Sequence, residues 1–249
     1  MYKFFVNSNQ VKDGTITIIG YDVNHILNVL RLKIEDKIQI CDKDIEKNYV
    51  CEIININSEA VKCRILKESK NDLKSNINIT VFQGLPKTDK MELIIQKCTE
   101  LGVKEITPVQ MERCVVKLDE KSSFKKIDRW QKIAESASKQ CKRNNICKIN
   151  NIINIKNVCN IINEYDILLV PYENETDNSF KELLKTTHNK KDIKIGIVIG
   201  PEGGFEKKEI ELLENNGGKI ITLGKRILRT ETVAIAMTSA IMYEFNELG

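Results

Sequence analysis

The stretch that decides the fold is Ile195-Gly196-Ile197-Val198-Ile199-Gly200-Pro201-Glu202-Gly203-Gly204-Phe205. Its first five residues carry no polar side chain and show no polar–apolar alternation, so neither face of a strand built from them is left to water. Strands covered on both faces belong to parallel sheets flanked by helices. The run ends at Gly200 in a turn poor in side chains. In open α/β sheets, the crevice beyond the carboxyl ends of the strands is where ligands settle. Two readings of the turn stand side by side. Its glycines let a molecule approach the backbone and its free N–H groups, or they simply form a strand-to-helix turn. The pattern is neither GxGxxG nor a Walker loop, so a dinucleotide or nucleoside triphosphate is not specifically indicated.

The same rhythm extends on both sides. Residues 79–82 form a short apolar strand, broken by Gly84-Leu85-Pro86. A helix follows, with Asp89 and Glu92 placed as a capping box. Met91, Ile94, Ile95, Cys98 and Leu101 make its buried stripe, and Gly102 ends it. Strands are predicted at 103–109, 166–170 and 219–223. Helices are predicted from near Ser123, at 207–214 and at 231–248. This alternation predicts an α/β domain with a parallel sheet over 79–249. Upstream, short β-type runs at 15–19, 37–41, 49–54 and 60–66 alternate with turn formers, and one helix falls at 24–31. Close-spaced short strands predict a small barrel or sandwich over 1–70. The polar stretch 71–78 reads as a linker.

Composition narrows the class. No window approaches the ~18 apolar residues of a membrane span, and the first residues lack a secretory pattern. The eight cysteines include no CxxC pair, and His25 and His188 are the only histidines. A zinc site is therefore not expected. Several cysteines sit in apolar phase as small hydrophobes, which suits a reducing cytosol. The formal net charge is +4, and residues 113–148 hold eleven Lys and Arg against four Asp and Glu. Such a local excess fits either a polyanion partner or a solvated lysine-rich surface.

A second segment that can carry chemistry is Leu223-Gly224-Lys225-Arg226-Ile227-Leu228-Arg229-Thr230-Glu231-Thr232. Here a strand ends at glycine and a cationic connector enters a helix, with Thr230 as the expected N-cap and Glu231 in the first turn. Arg229 at that helix start can hold an anionic or electron-rich group, or it can pair with Glu231 or Glu202. The helix beyond has a face of small residues, suited either to a second subunit or to close packing within the monomer. In the basic segment, Arg113, Lys117, Arg143 and Asn144 can contact phosphates or base edges. His25, Arg31 and Lys33 form a smaller polar group, in which His25 can equally be structural. Cys114 and Cys141 have no neighbouring histidine to make a thiol nucleophile.

Six motifs in order resemble the RsmE family of ribosomal RNA small-subunit methyltransferases, within the SPOUT superfamily. They are His25-Ile-Leu-Asn-Val-Leu-Arg31; Lys90-Met-Glu-Leu-Ile-Ile-Gln-Lys-Cys-Thr-Glu-Leu-Gly102; Glu112-Arg-Cys-Val-Val-Lys117; Gln140-Cys-Lys-Arg-Asn144; Gly200-Pro-Glu-Gly-Gly204; and Leu223-Gly-Lys-Arg-Ile-Leu-Arg-Thr-Glu-Thr232. The resemblance spans nearly the whole chain. It implies a SPOUT-type α/β knot, with a parallel sheet and a deep trefoil knot, preceded by a small PUA-like β-barrel that binds RNA. It also implies a cytoplasmic homodimer that needs no metal or membrane and uses S-adenosyl-L-methionine. Its substrate would be small-subunit (16S) ribosomal RNA, as naked RNA or in the assembled small ribosomal subunit, and its product N3-methyluridine.

By the same resemblance, Gly200, Glu202, Gly203, Gly204, Leu223, Gly224, Ile227, Leu228 and Arg229 would line the cofactor pocket. Lys3, His25, Arg31, Arg113, Lys117, Arg143 and Asn144 would hold RNA. Arg229 would stabilise negative charge developing on the uracil ring, and Glu231 is a candidate base by position. Two residues depart from the family pattern: Lys142 stands where a glycine is usual, and Lys3 where relatives often carry arginine. Three rivals share parts of the pattern: a SPOUT enzyme acting on a ribose hydroxyl or another base, a non-catalytic RNA-binding assembly factor, and a nucleotide-dependent α/β enzyme. The third lacks both phosphate motifs.

Overall fold

The computed structural model describes residues 1–69, 75–185 and 192–248. Part of the expected linker, and His188, lie outside the described residues. The chain divides into two compact units. The first comprises Met1–Lys74 with Ser138–Ile146, and the second comprises Ser75–Ala137 with Cys147–Gly249.

The first unit is a six-stranded sheet of β1 (Lys3–Val6), β2 (Val11–Lys12), β3 (Thr15–Ile19), β4 (Lys37–Asp42), β5 (Lys47–Ile56) and β6 (Ala60–Ser69). The order is β1-β4-β5-β6-β3-β2. Only the β1–β4 pair is parallel. Inward residues alternate along β3 and β5, so Ile16, Ile18, Cys51 and Ile53 meet Phe4, Val23, Ile26 and Ile38 in one core. The helix expected at 24–31 starts earlier, as α1 (Tyr21–Asn24), and continues as a π-helical turn over His25–Val29. Arg31 then takes a left-handed φ of 52°.

Ser138–Ile146 is anchored in this unit by polar contacts. Lys139 pairs with Asp22 at 2.6 Å. The buried Lys3 ammonium donates to the Asn144 side-chain oxygen at 2.7 Å and to the Lys142 carbonyl at 3.2 Å. Asn48 Nδ2 donates to the same Asn144 oxygen. Lys142 holds a left-handed φ of 62°, a conformation that glycine adopts without strain and other residues adopt at a cost of about 1 kcal/mol. The backbone thus keeps the shape that the family's glycine would allow. Lys142→Gly is expected to leave stability to urea unchanged or raised by up to about 1 kcal/mol, part of the gain being lost to the freer unfolded chain. Lys142→Val should lower it by about 1–2 kcal/mol.

The second unit is a parallel sheet with helices between its strands. In chain order come β7 (Ile77–Gly84), α2 (Thr88–Glu100), β8 (Glu105–Gln110), α3 (Glu120–Gln140), β9 (Lys148–Ile149), β10 (Ile153–Asn154), α4 (Ile155–Asn160) and β11 (Ile167–Pro171). Then follow α5 (Phe180–Lys185), β12 (Ile193–Ile199), α6 (Lys207–Asn215), β13 (Lys219–Ile221) and α7 (Thr230–Glu244). The order is β10-β8-β7-β12-β11-β13, with β9 beside β8, and every pairing among the described residues of this sheet is parallel. The strand that opened the reading, β12, is central. Ile195, Ile197, Val198 and Ile199 are at most 2% exposed, as a strand covered on both faces requires.

α2 buries Met91, Ile94, Ile95 and Cys98 completely, and Gly102 follows its end at φ 103°. Its start corrects one expectation. The N-cap is Lys87, not a capping box of Asp89 and Glu92. The Lys87 amide donates to Glu202, 115 residues on, so the cap is tertiary, and Glu92 pairs with Arg129 instead. α7 begins one residue earlier than expected and ends at Glu244. From the edge strand β13 it returns to pack on α2, β7 and β12.

Candidate functional site

The carboxyl ends of β11, β12 and β13 open into a cleft of two adjoining lobes. One, of about 460 Å³, is lined by residues including Tyr172, Thr222, Leu223, Gly224 and Arg226. The other, of about 320 Å³, is lined by residues including Lys90, Gly200, Glu202, Gly204 and Arg229. Pro171, Glu173, Ile227, Leu228 and Val233 line both. Each volume falls within the range typical of small-molecule sites.

A buried polar chain holds the floor together. The wholly buried Gln83, near the end of β7, donates from Nε2 to the Gly84 carbonyl at 2.9 Å and to Thr230 Oγ1 at 2.8 Å. Thr230 in turn donates to the Gly200 carbonyl at 2.7 Å. Thr230 is therefore the first residue of α7 rather than its cap, and Arg229 holds the N-cap position. The hydroxyl is drawn away from the helix's own amides by two distant partners, Gln83 in β7 and Gly200 just past β12. This pins the connector 222–229 over the turn 200–204.

The glycines are needed where backbones crowd. A Cβ on Gly84 would lie 2.7 Å from Pro201, and one on Gly200 would lie 3.2 Å from Gly204 and the Phe205 ring. Gly204, at φ 70°, faces the smaller lobe, here called the lower lobe, beside Glu173. Gly203 is turned elsewhere. A Cβ there would meet Arg113 Cβ at 2.9 Å, and its carbonyl accepts from Arg113 Nη1 at 3.0 Å.

The charges are distributed unevenly. Lys90 lies 3.4 Å from Glu202 and 3.1 Å from Glu231, whose side chain is 14% exposed. Burial pushes the Glu202 carboxyl up, but its own and the Lys87 amides, with the Lys90 charge, more than offset this and hold it below the usual range. Arg113 pairs with Glu206 at 2.7 Å. Arg229 pairs with neither Glu231 nor Glu202. It is exposed on the cleft wall, and its guanidinium makes no ion pair or hydrogen bond among the described residues. Glu173, which no sequence motif singled out, also faces the cleft unpaired.

The residues expected to hold RNA fall into two groups. Lys3, His25, Arg31, Arg143 and Asn144 belong to the first unit; Arg113 and Lys117 belong to the second. Lys3 departs from its expected placement, being 6% exposed and turned inward, with burial lowering its pKa. Its length suits the interior acceptors on Lys142 and Asn144, so it shapes the segment that presents Arg143. His25 is half-buried, its ring 6.4 Å from Phe4 and from Tyr21, while Arg31 and Lys117 are exposed. All eight cysteines are free thiols. Burial pushes Cys51 and Cys63 up to about 12 and also raises Cys114, which disfavours the thiolate at these three. Among the described residues no cluster could hold a metal ion, and no helix is long and apolar enough to cross a membrane.

Comparison with known proteins agrees with this architecture. Residues 73–242 match the RNA methyltransferase domain family, and residues 19–73 match the RNA methyltransferase PUA domain family. The chain is 34% identical to ribosomal RNA small subunit methyltransferase E of Bacillus subtilis, over 98% of this chain and 97% of that protein. It is 37% identical to the protein of the same name from Buchnera aphidicola subsp. Schizaphis graminum, over 99% of this chain and 96% of that one. A crystal structure of ribosomal RNA small subunit methyltransferase E from Neisseria gonorrhoeae, bound to S-adenosyl methionine, superposes with a TM-score of 0.86. That structure is 31% identical, covering 98% of this chain and 97% of its own. The chain belongs to the ribosomal RNA small subunit methyltransferase E family.

Proposed function

We propose that this chain methylates N3 of one uridine in 16S ribosomal RNA, with S-adenosylmethionine as methyl donor. The observation that carries this reading is the two-lobed cleft at the carboxyl ends of the parallel strands, walled by backbone and floored by the Gln83–Thr230–Gly200 chain. The cofactor has no phosphate, and the wall carries neither phosphate-binding motif; its glycines and apolar side chains stand beside Lys90, Lys225, Arg226 and Arg229. When bound, it supplies a methyl group made electrophilic by the adjacent sulfonium.

The protein's part is to bind, orient and manage charge. Gly200, Gly204, Leu223, Gly224, Ile227 and Leu228 form the binding wall. Gly203 supports it through Arg113, and Glu202 through α2 and Lys90. The N3 proton must leave before that nitrogen can attack, and negative charge then spreads over the uracil carbonyl oxygens. Arg229, free on the cleft wall, stabilises that charge. Glu231, oriented by Lys90, is the acceptor we propose for the proton.

The first unit serves as the RNA-binding domain and the second as the catalytic domain; the expected 71–78 linker gives up Ile77 and Asn78 to β7, and the expected 79–249 domain gives up Ser138–Ile146 to the first unit. His25, Arg31, Arg113, Lys117, Arg143 and Asn144 contact RNA, and Lys3 orders the 142–144 segment. The return of α7 from edge strand to sheet centre supports a trefoil knot. The outward line of Thr232, Ala236, Ser239 and the exposed Tyr243 on α7 supports a homodimer. The compartment is the cytoplasm, where the small subunit is assembled.

Calorimetric titration with S-adenosylmethionine tests the reading. Binding at one site per chain is expected, and Gly204→Val should abolish it, because a branched side chain at φ 70° is strained and would fill the lower lobe beside Glu173. Mass spectrometry of small-subunit RNA from treated subunits should then show one methylated uridine base. A folded protein that binds RNA but no cofactor would turn the reading toward an assembly factor, and methylation on ribose would overturn the N3 assignment.

A further inference from the structure

Glu173 is the only charged residue among those lining both lobes. It follows β11, and its carboxylate lies against the turn, with Oε1 3.3 Å from where a Gly204 Cβ would stand. The other acids of the cleft are already engaged. Glu202 serves Lys90 and the Lys87 amide. Glu175 accepts from the amides of Asp177 and Asn178 and from the Asn178 side chain. Glu173 has neither hydrogen bond nor ion pair among the described residues. Arg113, the cation on this side of the turn, spends its ion pair and hydrogen bond on Glu206 and the Gly203 carbonyl and acts on Glu173 only through space. A carboxylate with no ion-pair partner among the described residues thus stands where the two lobes join.

A ligand that fills both lobes brings its middle to that junction. The middle of S-adenosylmethionine, between its adenosyl and methionyl ends, is the sulfonium. After methyl transfer this position is a neutral thioether. We propose that Glu173 is the electrostatic partner of the sulfonium and makes the site discriminate the charged cofactor from its neutral product, S-adenosylhomocysteine. The proposal rests on the cofactor reading above and adds to it a residue that sets specificity and helps the spent product leave.

The test is calorimetric titration of the full chain and its Glu173→Gln and Glu173→Asp variants with each of the two ligands. Glu173 is exposed and makes no contact that the fold relies on, so both variants should melt like the parent. Glu173→Gln should shift the ratio of the two affinities against the sulfonium ligand by roughly tenfold, chiefly by weakening that ligand. The shift should shrink as salt is raised. Glu173→Asp, which keeps the charge, should retain most of the parent's ratio. Equal loss of both ligands, or no change in the ratio, would overturn the role of Glu173 while leaving the cofactor assignment in place. A parent protein that binds neither ligand would overturn the cofactor assignment and this proposal with it.

Discussion

With S-adenosylmethionine saturating, Arg229→Ala is expected to lower methyl transfer to small-subunit RNA by about 100-fold or more. Removing one preorganised donor from developing negative charge typically costs about 3 kcal/mol. The geometry makes this the largest catalytic effect at the site. Arg229 is held at the start of α7 by its neighbour Thr230, lines the lower lobe, and spends its guanidinium on no other side chain among the described residues. Because nothing in the resting fold depends on that charge, the variant should melt at the parent's temperature. The loss should appear in kcat rather than in cofactor affinity. Single-turnover assays with bound cofactor measure this directly. Near-normal turnover would remove Arg229 from the chemistry, and a loss confined to cofactor affinity would make it a binding residue only.

The largest effect on stability is expected from Thr230→Val. The substitution keeps the shape and deletes the hydroxyl that joins Gln83 to the Gly200 carbonyl. Gln83 is wholly buried and Thr230 is 6% exposed, so water cannot replace the lost partners. Leaving a buried carbonyl unpaired costs about 1–3 kcal/mol, and weakening the Gln83 donor adds to it. A total of about 2–4 kcal/mol would lower the melting temperature by roughly 5–12 °C for a domain of this size. Thr230→Ser should recover most of the loss. Thermal unfolding of the three proteins checks it, and a Thr230→Val protein that melts with the parent would show that the polar chain contributes little.

The central features of this fold are written in local patterns. The apolar run at 195–199 announces a covered parallel strand, and the spacing of Met91, Ile94, Ile95 and Cys98 announces the buried face of α2. The two glycine-bearing turns announce where the cleft opens. What stayed hidden depends on partners distant in sequence. Nothing near Lys87 shows that its amide is capped by Glu202, so Asp89 and Glu92 looked like the cap. Thr230 has the chemistry of an N-cap and is claimed by Gln83, 147 residues earlier. Lys3 reads as a surface cation until Asn144, 141 residues on, supplies an interior acceptor. Glu173 belongs to no motif, and only the meeting of three strand ends shows what it faces. The grouping of Ser138–Ile146 with the first unit follows from the same kind of contact, since the composition of α3 does not change at Ala137.

The hydrogen bond between Gln83 and Thr230 also has a meaning in time. A ribosome adding about 5–20 residues per second needs on the order of ten to thirty seconds to pass from one to the other. Throughout that interval β7 can pair with β8, but its opposite edge waits for β12, and the amide of Gln83 waits for a hydroxyl not yet made. Pairings this distant are slow to form and expose apolar edges while they wait. The catalytic cleft is therefore among the last parts of the unit to exist during its birth, and a shortage of chaperones should cost this protein its activity before it costs the early β-strands their structure.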